Sequence, residues 1–180
     1  MTHCGRSIGL MISAAVRAPL LAAHPLGTAA AGFAAYTLVM LVFERRMRRS
    51  GGPGIVPFQL AGSAERAQRI MTRWGDDGQR AARWSLRLDF GYMLTYGWLT
   101  ALLVDRARRR WGHPRVLALA VVPAVAADAV EGVSLLKVLG SCDIAVNASR
   151  ARAAARVKYL VLVAALLYAV SGLSTAWERR

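Results

Sequence analysis

Asp128 and Glu131, in the stretch AADAVEGVSLLKV (residues 126–138), stand one helical turn apart inside a long apolar run. A helix places side chains three residues apart on one face, so the two carboxyl groups address the same neighbours. Asp89, Tyr92 and Tyr96, in LDFGYMLTYG, follow i, i+3, i+7 spacing and share a face of a second apolar segment. Carboxyl groups beside tyrosine hydroxyls can act as a general acid, as a proton relay, or as hydrogen bonds between helices. Asp128, Glu131, Asp89, Tyr92 and Tyr96 are therefore the candidate catalytic residues, with Lys158 and Tyr168 as structural or orienting partners.

The elements that must position these groups follow from composition. The chain has 180 residues, 56% of them hydrophobic, and a formal net charge of +14. One soluble core rarely combines the two properties. Four apolar runs match the roughly 17 to 25 residues needed to cross a hydrocarbon layer of about 30 Å: residues 26–43, 86–104, 116–139 and 157–177. Arg-rich stretches flank them: ERRMRR at 44–49, DRARRR at 105–110 and SRARAAAR at 149–156. Basic flanks on apolar segments point to anionic headgroups. The expected fold is all-α, a single domain forming a multi-pass, four-helix transmembrane bundle in the cell membrane, with membrane lipids as partners.

Between the first two runs, SGGPGIVPF reads as a loop and residues 63–75 as an amphipathic helix. Ser63 suits its N-cap, Glu65 its positive end and Gly75 its stop. Arg66, Arg69 and Arg73 on one face, and Trp74 at the end, are expected to contact the membrane surface. The alternative is that the apolar face of this helix packs on the end of the bundle. Lys and Arg counts near the spans place the first and third loops in the cytoplasm. The N-terminal stretch 7–26, broken by Arg17, Pro19, His24 and Pro25, is a poor span and reads as an interfacial segment or a short lead-in to the first span, with a cleaved signal peptide as the alternative.

Counting residues inward at about 1.5 Å each sets Asp89 level with Lys158, Tyr92 with Glu131, and Tyr96 with Asp128, with Tyr168 nearby. A carboxylate at mid-membrane costs about 2.5 to 3.5 kcal/mol, so these groups are expected to face the bundle interior and the acid pair to hold a proton. Lys137, nine residues from Asp128, is expected on the opposite face. Pro123 is expected to kink the third span.

Other classes find no support in the sequence. The basic residues mark segment ends and do not interleave with aromatics, so no nucleic-acid surface is expected. Cys4, Cys142, His3, His24 and His113 lack metal-ligand spacing, and no nucleotide loop, Cys-x-x-Cys pair or catalytic triad stands out. No cofactor is expected.

PFQLAGSAERAQRIMTRWG, LDFGYMLTYG, DAVEG and the VKY of the last span together resemble a family of small four-span bacterial integral membrane proteins with a PFELA, L-D-F…Tyr, D-x-x-E-N and Lys pattern. The resemblance covers residues 57–168. Gln59 stands where an acid is usual and Gly132 where Asn is usual. It implies a membrane bundle, points to Asp89, Asp128, Glu131 and Lys158, and implies no reaction. Three functions fit: a membrane protein whose polar network is structural, an enzyme or binder for an isoprenoid or lipid-like apolar ligand, and a proton-coupled transporter, the last without the internal repeat such folds show.

Overall fold

The structure, a computed structural model, describes residues 25–174. Residues 7–24 of the N-terminal stretch, Cys4, His3, His24 and residues 175–177 of the expected fourth span lie outside the described residues. Among those described, all regular structure is helical: α1 (Pro25–Arg49), α2 (Ile55–Gln59), α3 (Ala64–Trp111), a 3₁₀ stretch (Arg115–Val121) running into α4 (Val122–Leu139), and α5 (Ile144–Ser174).

Among the described residues, three helical segments are long and apolar enough to cross a membrane: Pro25–Arg49, Arg115–Leu139 and Ile144–Gly172. The run 86–104 is helical within α3 but is not among them, because Arg87, Asp89 and its tyrosines dilute its apolar character. The Arg-rich stretches expected between spans are themselves helical. ERRMRR ends α1, DRARRR ends α3, and SRARAAAR lies wholly within α5. Arginine is a good helix former, and at a C-terminal end it meets the negative pole of the helix. Asp105 adds i, i+3 and i, i+4 bonds to Arg108 and Arg109.

α3 is the central element. α1 packs along it antiparallel: Tyr36 Oη donates to the Leu88 carbonyl at 2.8 Å, and Thr37 Oγ1 lies 3.1 Å from Tyr92 Oη. α4 runs antiparallel on another side, tied at its end by Arg83, which donates to the Leu139 carbonyl at 2.8 Å. α5 packs on both α3 and α4, whereas α1 and α5 scarcely touch. Leu38 on α1, Leu94 on α3, and Leu160, Leu167 and Val170 on α5 point outward and are exposed, an apolar exterior that water would not favour.

The tightest core lies where α3 begins. Ser63 caps that end, its hydroxyl accepting from the Arg66 amide at 3.4 Å, and Glu65 sits in the first turn. The helix breaks at Gly75, whose φ of 56° and ψ of −165° fall in a region open essentially to glycine alone. Gln79 Nε2 reaches back across the break to the Met71 carbonyl at 3.1 Å.

Trp74, expected at the lipid surface, is instead 1% exposed. Its ring lies 4.9 Å from that of Phe58, and its Nε1 donates to the Pro53 carbonyl at 2.6 Å. Loop 50–54 makes this burial possible: Gly52 lies so close to the indole that any side chain there would overlap it. Ala67 is buried, and Ile70 and Met71 pack on the same core, so the apolar face of residues 63–75 turns toward protein. A buried indole removes more apolar surface from water than an interfacial one, and here its polar N–H also finds an acceptor. Arg66, Arg69 and Arg73 are exposed on the other face.

Candidate functional site

Ser85, Asp89, Tyr92, Tyr96, Leu99 and Leu103 repeat at three- and four-residue intervals along one face of α3 and line a cavity of about 660 Å³. The stripe is polar in its first half and apolar in its second. α1 faces it with Phe33, Thr37, Met40 and Glu44, and α5 with Lys158, Tyr159, Leu162 and Leu166. The cavity thus occupies the gap that α1 and α5 leave by not packing on each other. Leu41, Val56 and Leu166 line it and are exposed, so it opens at the molecular surface.

Asp128 and Lys158, two members of a buried charge cluster, form part of its wall. Lys158 Nζ donates to Asp128 Oδ1 at 2.7 Å and lies 2.8 Å from Glu131 Oε2. The second contact is an ion pair without hydrogen-bond alignment, and Glu131 Oε1 has no hydrogen-bond partner among the described residues. Tyr96 Oη donates to Asp128 Oδ2 at 2.7 Å. Asp128 therefore joins α4 to α3 through a phenol and to α5 through an ammonium.

The helix face predicted for Asp128 and Glu131 is the one they share, and Tyr96 meets Asp128 as the depth count anticipated. Lys158 lines the same cavity as Asp89, its level in that count, but makes its ion pairs elsewhere. It reaches both acids of α4, so the compensation expected from a retained proton comes at least in part from an ammonium. Asp89 lines the cavity with no ion pair among the described residues. Tyr92 is also in the cavity wall, its ring 5.5 Å from Phe33 and 5.9 Å from Tyr96.

Tyr168 is a correction. Its hydroxyl lies 2.7 Å from His113 Nδ1 and its ring 4.9 Å from Trp111, at the far end of α3 and away from the acids. Counting inward from residue 157 misjudged its level because α5 starts at Ile144. Pro123 stands in the first turn of α4, where the missing amide donor is tolerated, just after the change from 3₁₀ to α-helix, and the Leu119 carbonyl accepts from the Val122 amide instead. Lys137 is exposed, facing away from the cluster.

Two further polar pairs were not foreseen. Glu44 accepts from Arg48 Nε at 2.8 Å and from the Ile55 amide at 2.9 Å, tying α1 to the start of α2 at the polar mouth of the cavity. Tyr159 Oη donates to Gln59 Oε1 at 2.8 Å, so α2 is held against α5 there too. The E-x-x-x-R spacing of Glu44 and Arg48 was a readable helix pair. The link between Gln59 and Tyr159 spans a hundred residues and left no local signal. Among the described residues, no group of His, Cys, Asp or Glu is arranged to hold a metal ion.

The arrangement offers a carboxyl–phenol hydrogen bond in the wall of a cavity that is charged toward one end and aliphatic toward the other. No protein-family model, curated protein or solved structure matches the chain.

Proposed function

We propose that the chain is a multi-pass protein of the cell membrane whose central cavity binds an apolar-tailed amphiphile, an isoprenoid or lipid, entering sideways between α1 and α5. In this reading residues 86–104 of α3 are a second span, completing a four-helix bundle of the kind the sequence resembles. Arg66, Arg69 and Arg73 face anionic headgroups beside the polar mouth. The supporting observation is the polarity gradient along the cavity, from Glu44, Gln59 and Ser85 to Leu99, Leu103 and Leu166. Ligand pockets combine a mostly apolar lining with a few placed polar groups.

A structural role for the charge cluster is compatible with this reading and is favoured by one contact. Lys158 engages both acids of α4, and breaking such a buried group costs about 3 to 5 kcal/mol. The cluster then fixes α3, α4 and α5 while the Tyr96–Asp128 bond presents a proton-carrying pair to the bound molecule.

Mass spectrometry of lipids copurified with wild type and with Leu162→Trp tests the reading. Wild type is expected to retain a discrete amphiphile that the variant, its aliphatic end filled by indole, does not. A variant and wild type carrying the same bulk lipids in the same amounts would refute it.

A further inference from the structure

Within the cavity the ionic groups do not balance. Arg48 is engaged by Glu44 and Lys158 by Asp128 and Glu131. Asp89 lines the same space as Lys158 but, among the described residues, has no hydrogen bond and no cation within ion-pair distance. Asp128, in the lining, and Glu131, behind it, share the one ammonium, which leaves Asp89 as the lining carboxyl group without an ion-pair partner among the described residues. Around Asp89 the lining is aromatic. Tyr92 follows one turn later on α3, its ring against those of Phe33 and Tyr96 at 5.5 and 5.9 Å, and Tyr159 completes the lining from α5. That ring already faces a cation, with Lys158 Nζ 5.0 Å from its centroid. A carboxylate among electron-rich ring faces is the arrangement that receives an alkylammonium, by ion pairing and by attraction to the ring quadrupoles.

We propose that the head-group subsite of this cavity is built for a cation: an amphiphile bearing an ammonium, held by Asp89 among Phe33, Tyr92, Tyr96 and Tyr159, with its tail along Leu99, Leu103 and Leu166. The inference rests on the binding role proposed above and adds the charge of the ligand. It runs against the chain's overall charge of +14, which by itself would draw anionic amphiphiles.

Three probes with one tail separate the cases: hexadecylamine, hexadecanol and hexadecyl phosphate, added to the full chain in neutral maltoside micelles and read by native mass spectrometry. Hexadecylamine is expected to bind at least about tenfold more tightly than hexadecanol, the scale of one charge-assisted contact, with the phosphate weakest. Asp89→Asn should reduce the amine preference to under about threefold while hexadecanol still binds, and Tyr92→Leu should reduce it independently of any change in the carboxylate. Equal binding of amine and alcohol, or preference for the phosphate, overturns the cation assignment and leaves the cavity reading standing. Failure of all three probes to bind removes both. An amine preference intact in both variants also overturns the assignment.

Discussion

Lys158 and Asp128 meet at 2.7 Å across the contact of α5 with α4, their side chains only 7% and 2% exposed. A buried ion pair contributes little net stability compared with a well-packed apolar pair, yet removing one partner leaves an uncompensated charge. Lys158→Met is therefore expected to destabilise the protein by about 3 to 5 kcal/mol, seen as a lowered thermal midpoint in detergent. Adding Asp128→Asn and Glu131→Gln to that variant should recover much of the loss. A single Lys158→Met variant as stable as wild type would show that the cluster does not hold these helices.

Trp74→Ala is expected to cost about 3 to 5 kcal/mol, as for other buried aromatics, because the indole fills the space between Phe58 and loop 50–54. Arg66→Ala, Arg69→Ala and Arg73→Ala should each stay within about 0.5 kcal/mol. Equal sensitivity of all four to thermal denaturation would contradict an inward-facing Trp74.

Gly75→Ala places a side chain where φ is 56° and ψ −165°, at an expected cost of about 1 to 3 kcal/mol. No atom lies near the added methyl, so the penalty is conformational. A denaturation midpoint that does not move, or that rises, would mean the break at Gly75 is not maintained in solution.

Tyr168→Phe removes the hydroxyl bonded to His113 and should change stability by about 1 kcal/mol or less. Because that hydroxyl stands apart from the cavity, the amount of copurified amphiphile should not change. Tyr96→Phe, which frees one oxygen of Asp128, should alter it. Matching lipid profiles for these two variants would argue against a site at Tyr96.

Much of this architecture is written as periodicity. The apolar runs announced helices, and the i, i+3 spacing of Asp128 and Glu131 announced a shared face. The start of α5 was hidden by charge. Read for size instead, Ala148, Ala151, Ala155 and Lys158 recur at three- and four-residue intervals, and all are buried. That stripe carries the helix back through the arginines and would have turned Lys158 toward the core. Trp74 was misjudged for a different reason. An aromatic at a helix end beside arginines looks interfacial, and only the approach of Gly52 and the Pro53 carbonyl, set by tertiary folding, shows that it is enclosed. The cavity itself had no sequence signature, because it arises from two helices, α1 and α5, that fail to pack on each other.

The short turn of residues 140–143 between α4 and α5 has a consequence for biogenesis. In the proposed membrane arrangement, a segment carrying Asp128 and Glu131 would on its own enter a bilayer at a cost of roughly 2.5 to 3.5 kcal/mol for each acid, with nothing to offset it. Its counter-ion is supplied by the next segment to emerge from the ribosome, on the same hairpin. If the chain inserts as proposed, α4 and α5 are therefore suited to leave the translocon together, as one partly compensated unit, with α3 already waiting to offer the Tyr96 hydroxyl.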